Sequence, residues 1–386
     1  MNKLELLSII QCGETSKIQF KEKLTSTDSF AAEMIAMSNS LGGTILLGVQ
    51  DKTGNIKGLS PEEIHGYNTK IGNMATNNII PLIYITTEVI IIEDKKLLLV
   101  HIEEGVNKPY KDRNSVIWIK QGSDKRKVTD NAELLRLFQK SGNLYIDEME
   151  VYNTNIEDVN KDKFREYYKK EFEEELEESN LSYEQILKNI IIIRNNKLTL
   201  GGLLFFGKNP QKFKPAFCIK AVSFFGNEIE GTEYRDSKDI KGTIPEIFDK
   251  GMSFFTSNLH WVQKGQDFNS IGILEISKIA LEELLQNALV HRDYSKNAPV
   301  RLLIFDNRVE IISPGRLPNS LTIENIKSGN AVVRNNLLST FCSKIMKYRG
   351  LGSGVKRAVK EQPNIKLIND VEGEQFIAII PRKITK

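Results

Sequence analysis

Two side chains four residues apart raise the first chemical question. In Leu281–Ser295, LEELLQNALVHRDYS, Glu283 and Asn287 stand one helical turn apart and share a face. Leu284, Leu285, Ala288 and Leu289 cover the other sides. A carboxylate and an amide oxygen on one face can orient a water and ligate a hard cation such as Mg²⁺, which takes oxygen ligands and keeps several waters. The same pair would equally suit the exposed side of an ordinary amphipathic helix, so the neighbouring segments must decide.

Two of those segments favour chemistry. VRLLIFDNRVEIISPGRLP reads as two strands joined at Asp306-Asn307-Arg308, followed by a Pro-Gly turn ending at Leu317-Pro318. Further on, YRGLGSGVKRAVKE sets Gly350, Gly352 and Gly354 directly before a helical stretch. Glycines let backbone N–H groups come close, and a helix N-terminus favours anions, so this spacing makes a phosphate cradle.

The combination EELLQNALVHRDY, DNRVEIISPGRLP, RNNLL and RGLGSGVKRA resembles the divergent GHKL-type ATPase domain found at the C-terminus of RecG-like bacterial proteins, over residues 198–360. The resemblance implies a site for ATP and Mg²⁺, with Glu283 activating the attacking water and Asn287 holding the metal. It gives the glycine box to Gly350, Gly352 and Gly354 and the turn glycine to Gly315, and it adds His291, Arg292, Ser313 and Arg334 to the nucleotide site. His291 has a second reading, as a cation closing the C-terminal end of the helix dipole. One departure bears on the base. The family's strand ends in an Asp that reads the adenine amino group, whereas this chain has Ser313, a weaker acceptor than a carboxylate. Poor discrimination between ATP and GTP is expected.

Near the N-terminus, GETSKIQFKEKL and SNSLGGTILLGVQDKTGNIKGL resemble the Schlafen/AlbA-type nucleic-acid-binding domain, a match running over residues 4–137. In nuclease members three carboxylates bind a metal and cut RNA. Here the resemblance assigns those places to Glu14, position 19 and Asp51, with Lys21 beside them. Position 19 is Gln19, which leaves the site one carboxylate short and predicts weak or absent cleavage. Between Lys108 and Lys127 the basic residues Lys108, Lys111, Arg113, Lys120, Lys125, Arg126 and Lys127 outnumber Asp112 and Asp124, for a net +5. Tyr110 and Trp118 lie among them, and aromatic rings can stack on unpaired bases. The segment therefore predicts binding of DNA or RNA.

The elements that must position these residues follow an α+β pattern. DSFAAEMIAMSNSLGG reads as a helix with a Gly-Gly stop, TILLGVQ as a buried strand, and LIYITTEVIIIEDKKLLLVHIEEG as two strands around an Asp-Lys-Lys turn. KDKFREYYKKEFEEELEESN reads as one charged helix. The stretch from KLTLGGLLFFGKNPQKFKP onward reads as strands, then a polar loop over 235–241 and a helix starting near Pro245. The expected organisation is a Schlafen/AlbA-like mixed domain over 1–143, a helical connector over 144–197 within a middle α/β segment, and a GHKL-like α/β sandwich over 198–386.

Composition narrows the function. The 386 residues are 40% apolar and 27% charged, the balance of a globular protein. A net charge of +3 leaves nucleic-acid affinity to local patches. Cys12, Cys218 and Cys342 are odd in number and lack metal-ligand spacing, so neither a disulfide framework nor a zinc site is expected. The start MNKLELLSIIQCGETSK does not read as a signal peptide and no apolar run is long enough to span a bilayer; a cytoplasmic protein without a membrane partner is expected. A helicase motor has no support in these residues, which contain no G-x-x-x-x-G-K-[ST] loop. The leading expectation is a nucleic-acid-binding transcriptional regulator or antiviral-defence effector that responds to ATP. A Schlafen-like nuclease using Glu14 and Asp51 and a non-catalytic interaction module stand as alternatives, with homo-oligomerisation open.

Overall fold

The computed structural model describes residues 3–51, 53–141, 144–230, 233–263, 272–318, 321–330, 332–346 and 352–382. The chain forms two compact units, Met1–Leu144 and Tyr145–Lys386, and its α+β character holds in both.

In the first unit, strand β1 (Ile18–Lys21) runs parallel to β2 (Gly43–Leu47) through the crossover helix α1 (Thr27–Asn39). β2 pairs with β4 (Lys95–Ile102), and β4 with the edge strand β3 (Ile85–Ile92), both antiparallel. The β3–β4 turn is Glu93-Asp94, at φ of 47° and 62°, so it falls slightly earlier than the Asp-Lys-Lys reading. Helix α1 starts at Ser26, whose hydroxyl accepts from the Ser29 amide, and is buried from Phe30 to Asn39. Gly42 must turn the chain at a φ of +70°, where a Cβ would lie 2.7 Å from the Ile102 carbonyl oxygen. Helices α2 (Pro61–Asn77) and α3 (Asn131–Lys140) and a hairpin of β5 (Trp118–Gln121) with β6 (Asp124–Lys127) also belong to this unit.

The second unit is built on a six-stranded sheet in the order β8, β7, β9, β10, β12, β11. The strands are β7 (Ile219–Phe224), β8 (Tyr234–Ile240), β9 (Val300–Ile304), β10 (Arg308–Pro314), β11 (Lys366–Asp370) and β12 (Gln375–Pro381). β7 and β9 are parallel and the other neighbours antiparallel. Alternation splits the sheet: Leu302, Ile304, Ile311 and Ala378 join the main core, whereas Leu303, Phe305 and Ile312 form a small cluster on the other face. Helices α4 (Lys161–Phe172), α5 (Leu200–Phe206), α6 (Ile244–Asn258), α7 (Lys278–Val290), α8 (Asn336–Ile345) and α9 (Gly354–Glu361) belong to this unit.

Several sequence readings change here. LGGLLFF is the buried helix α5 rather than a strand. A short apolar run fits either state, and helix is selected by the Thr199 cap on the Gly202 amide and by close packing, since a Cβ on Gly202 would lie 2.3 Å from the Ile192 carbonyl oxygen. The charged run does not continue as one helix: α4 stops at Phe172, and Glu173 turns left-handed at a φ of 56°. Residues 235–241 are mostly the edge strand β8 instead of a loop; their polarity reflects exposure at a sheet edge. The stretch from Tyr145 onward packs into the second unit, with Val151, Phe164, Leu187 and Ile192 in the same core as α7.

Candidate functional site

Helix α7 carries the Glu283 and Asn287 pair, and its C-terminal end explains much of the motif around it. The last turn of any helix leaves carbonyls without an intrahelical donor. Here the His291 amide takes the Asn287 carbonyl at 2.9 Å. Side chains take the next three: the Ser313 hydroxyl on Ala288 at 3.0 Å, the Tyr294 hydroxyl on Leu289 at 2.9 Å, and the Asn335 amide on Val290 at 2.8 Å. Asn335 also holds the Arg292 carbonyl at 2.9 Å. NALVHRDY, SPG and RNN are thus largely a capping apparatus that fixes α7 against β10 and α8.

With α7 so fixed, Glu283, Asn287 and His291 form one wall of a pocket. Its floor is two cross-strand pairs, Ile311 with Ala378 and Ser313 with Phe376. Leu317, Leu321, Ile326 and Val332 supply an apolar rim. Opposite Glu283 stands the start of α9, with Gly352, Ser353 and Gly354. Gly352 has a φ of +68°, which favours glycine. A Cβ on Gly354 would stand 2.5 Å from Glu283 Oε2 and 3.0 Å from Asn287 Nδ2. Gly315, at a φ of +100°, is equally constrained: its Cβ would meet that of Asp293 at 2.4 Å.

The polar groups are oriented. Asn287 Nδ2 donates to the Glu283 carbonyl at 2.7 Å, so its Oδ1 remains for a cation. Ser313 directs its proton to the Ala288 carbonyl, so it offers the pocket lone pairs. Glu283 is paired: Arg357 of α9 donates from Nε to Oε1 at 2.8 Å and also from Nη2. Sequence reading missed Arg357; its place three residues after Gly354, one turn into the same helix, was the available signal. Apolar floor, oxygen ligand and glycine-lined helix start together fit a nucleotide with Mg²⁺.

Two assignments, Arg292 and Arg334, and the cation reading of His291 are corrected, and Gly350 lies outside the described residues. Arg292 is buried with its guanidinium 4.7 Å from the rings of both Phe217 and Tyr294, and its Nη2 donates to the Ala298 carbonyl; it supports the turn after α7 and does not line the pocket. Arg334 donates to the Arg316 carbonyl at 2.7 Å and the His291 carbonyl at 3.4 Å, bracing the loop instead of facing the pocket. His291 lines the pocket, but burial and the neighbouring Arg334 cation push its imidazole down to about 4, so it is not a cation at neutral pH.

In the first unit the predicted residues are mostly engaged with one another. Glu14 accepts from the Gln19 side chain and from the Phe20 amide. Asp51 accepts from Lys21 at 2.5 Å and from the Glu22 amide at 3.1 Å. Among the described residues no group of three or more His, Cys, Asp or Glu is placed to hold a metal. The basic segment also divides. Lys108 and Lys120 point inward: Lys108 donates to the Ser40 carbonyl and Glu104, and burial holds its ammonium below the usual lysine range. Lys120 donates to Glu33 at 2.7 Å and Gln19 at 2.9 Å. Neither is a surface contact for nucleic acid, because each ammonium needs its internal acceptor. Lys125 reaches the same Glu33, and Arg126 is bidentate to Glu133. Arg113 and Lys127 are exposed, the latter 5.4 Å over the Trp118 ring, and Lys111 is half-buried. Tyr110 is core, not a stacking surface.

Comparison with known proteins follows this division. Residues 14–129 match the family described as Schlafen, AlbA_2. Residues 297–369 match the family described as Putative ATP-dependent DNA helicase recG C-terminal, an ATPase-like domain. The chain thus combines a segment similar to the Schlafen, AlbA_2 family with a segment similar to the RecG C-terminal family. Between them, residues 135–220 match a domain of unknown function, DUF8451. Glu283, Asn287 and His291 precede the second match, so the fold brings them to it. Among solved structures, the DIP2311 protein from Corynebacterium diphtheriae is 19% identical, covering 98% of this chain and 80% of that one, at a TM-score of 0.48. The N-terminal domain of a putative ATP-dependent DNA helicase RecG-related protein from Nitrosomonas europaea is 21% identical, covering 33% and 91%, at a TM-score of 0.23. No curated protein matches the chain. Among the described residues no helix is long and apolar enough to cross a membrane.

Proposed function

We propose that this protein binds nucleic acid through its first unit and ATP through its second, and acts as an ATP-responsive regulator of transcription or a defence effector. The observation that carries the reading is the convergence of Glu283, Asn287, the start of α9 and an apolar sheet floor on one pocket. In this reading the floor and rim hold the base, and the first turn of α9 donates its N–H groups to the phosphates. Mg²⁺, held by Asn287 Oδ1, would neutralise charge on the phosphate chain. Glu283 orients the water and takes its proton, a role worth typically 10²–10⁴ in rate. The Schlafen/AlbA_2 match, the exposed Arg113 and Lys127 and the half-buried Lys111 support the nucleic-acid half.

The test is calorimetric titration with ATP and Mg²⁺. Wild type should bind, and Asn287→Ala should lose the Mg²⁺-dependent part of the affinity. A side chain at Gly352 should weaken binding as well. A wild-type protein that takes up neither ATP nor ADP at millimolar concentration refutes the reading.

A further inference from the structure

Glu283 stands in the place where a phosphate would be welcome. Both of its oxygens face α9: Oε1 receives the Arg357 guanidinium, and Oε2 abuts Gly354, the first residue of that helix. The side chain is 12% exposed and Arg357 31% exposed, so the pair is largely shielded at the pocket wall. A carboxylate held this way has Oε1 occupied by the guanidinium and Oε2 turned to the start of α9, so it must give up that pair before it can orient a water. The same cation lines the pocket and can turn to another anion.

Resting on the nucleotide reading above, we propose that Arg357 is a positioning residue that exchanges partners. Without nucleotide it holds Glu283 on the start of α9. With nucleotide it moves to the phosphate chain, and Glu283 is released to act on water. Glu283 and the phosphates then compete for one cation and one helix end. An internal competitor lowers apparent affinity by the fraction of molecules in which it is engaged.

The experiment compares ATP and AMP binding, both with Mg²⁺, in wild type, Glu283→Gln, Glu283→Ala and Arg357→Ala. Removing the competing charge should tighten ATP binding by on the order of tenfold in both Glu283 variants, as expected when a competent state becomes fully populated. Arg357→Ala should weaken ATP but leave AMP nearly unchanged, since AMP lacks the outer phosphates; general damage to the fold would weaken both. If wild type binds ATP while neither Glu283 variant binds it more tightly, or if Arg357→Ala weakens AMP and ATP equally, the exchange is wrong and the nucleotide site survives. If no protein in the series binds ATP, the nucleotide reading falls, and the exchange with it.

Discussion

The Lys120 ammonium lies 2.7 Å from the Glu33 carboxylate, and the two side chains are 1% and 4% exposed. A buried pair of this kind is costly to break from one side, because the remaining charge keeps its desolvation penalty. Lys120→Ala should therefore cost about 3 kcal/mol, even with Lys125 still 3.1 Å from Glu33. Chemical denaturation of the full chain measures it, and a loss well below that would mean that Glu33 has other support.

Nucleic-acid affinity should depend on the cations that reach the surface. Lys111, Arg113 and Lys127 changed together to Ala should reduce the salt dependence of binding by about 0.7 to 0.9 for each phosphate no longer neutralised. Lys125 and Arg126 already hold Glu33 and Glu133, so replacing them should change the slope less. Binding insensitive to salt in the wild type would rule out phosphate contacts.

Capping and ligand binding should fail together at the end of α7. Asn335→Ala strips donors from the Val290 and Arg292 carbonyls, and each unsatisfied buried group costs about 1–3 kcal/mol. The thermal midpoint should drop, and ATP affinity should drop with it because α7 carries Asn287, the proposed Mg²⁺ ligand. Lost stability with unchanged affinity would show that the pocket does not depend on this cap.

Ser313 should select the base. Its hydroxyl proton is committed to Ala288, so the pocket meets an acceptor, which suits an exocyclic amino group and opposes a carbonyl oxygen. ATP should then bind better than GTP, more strongly than the serine-for-aspartate exchange alone suggests. Ser313→Ala should narrow the ratio in competition binding and lower stability by about 1 kcal/mol.

Asp147 gives a pH signature. Its carboxylate accepts from the Leu338 amide at 2.8 Å at the start of α8, and burial raises it from 3.8 to about 6. The folded state thus holds a proton that the unfolded chain has released between those values, so this group's contribution falls as pH rises. Going down from about pH 6 to 3.8 it should add up to about 3 kcal/mol, against the losses of other carboxylates. The difference between wild type and Asp147→Asn in denaturation across that range isolates it; a pH-independent difference would contradict the raised value.

The spacing of Glu283 and Asn287, the Asp306 hairpin and the glycines before α9 were legible in the sequence because each is a local rule: period 3.6, period 2, and backbone freedom. The Gly-Gly stop after α1 followed in the same way. What each charge faces was not local. Lys120 and Lys127 look alike in a basic run, yet one meets Glu33, 87 residues upstream, and the other meets solvent over Trp118. Arg292 and Arg334 suit a phosphate by residue type, but Phe217 and the Arg316 carbonyl hold them. Glu283 suits a free base by its spacing, but Arg357, 74 residues on, closes over it. A charge can be buried only where the fold supplies its partner, and those partners come from distant segments that tertiary structure alone brings into reach.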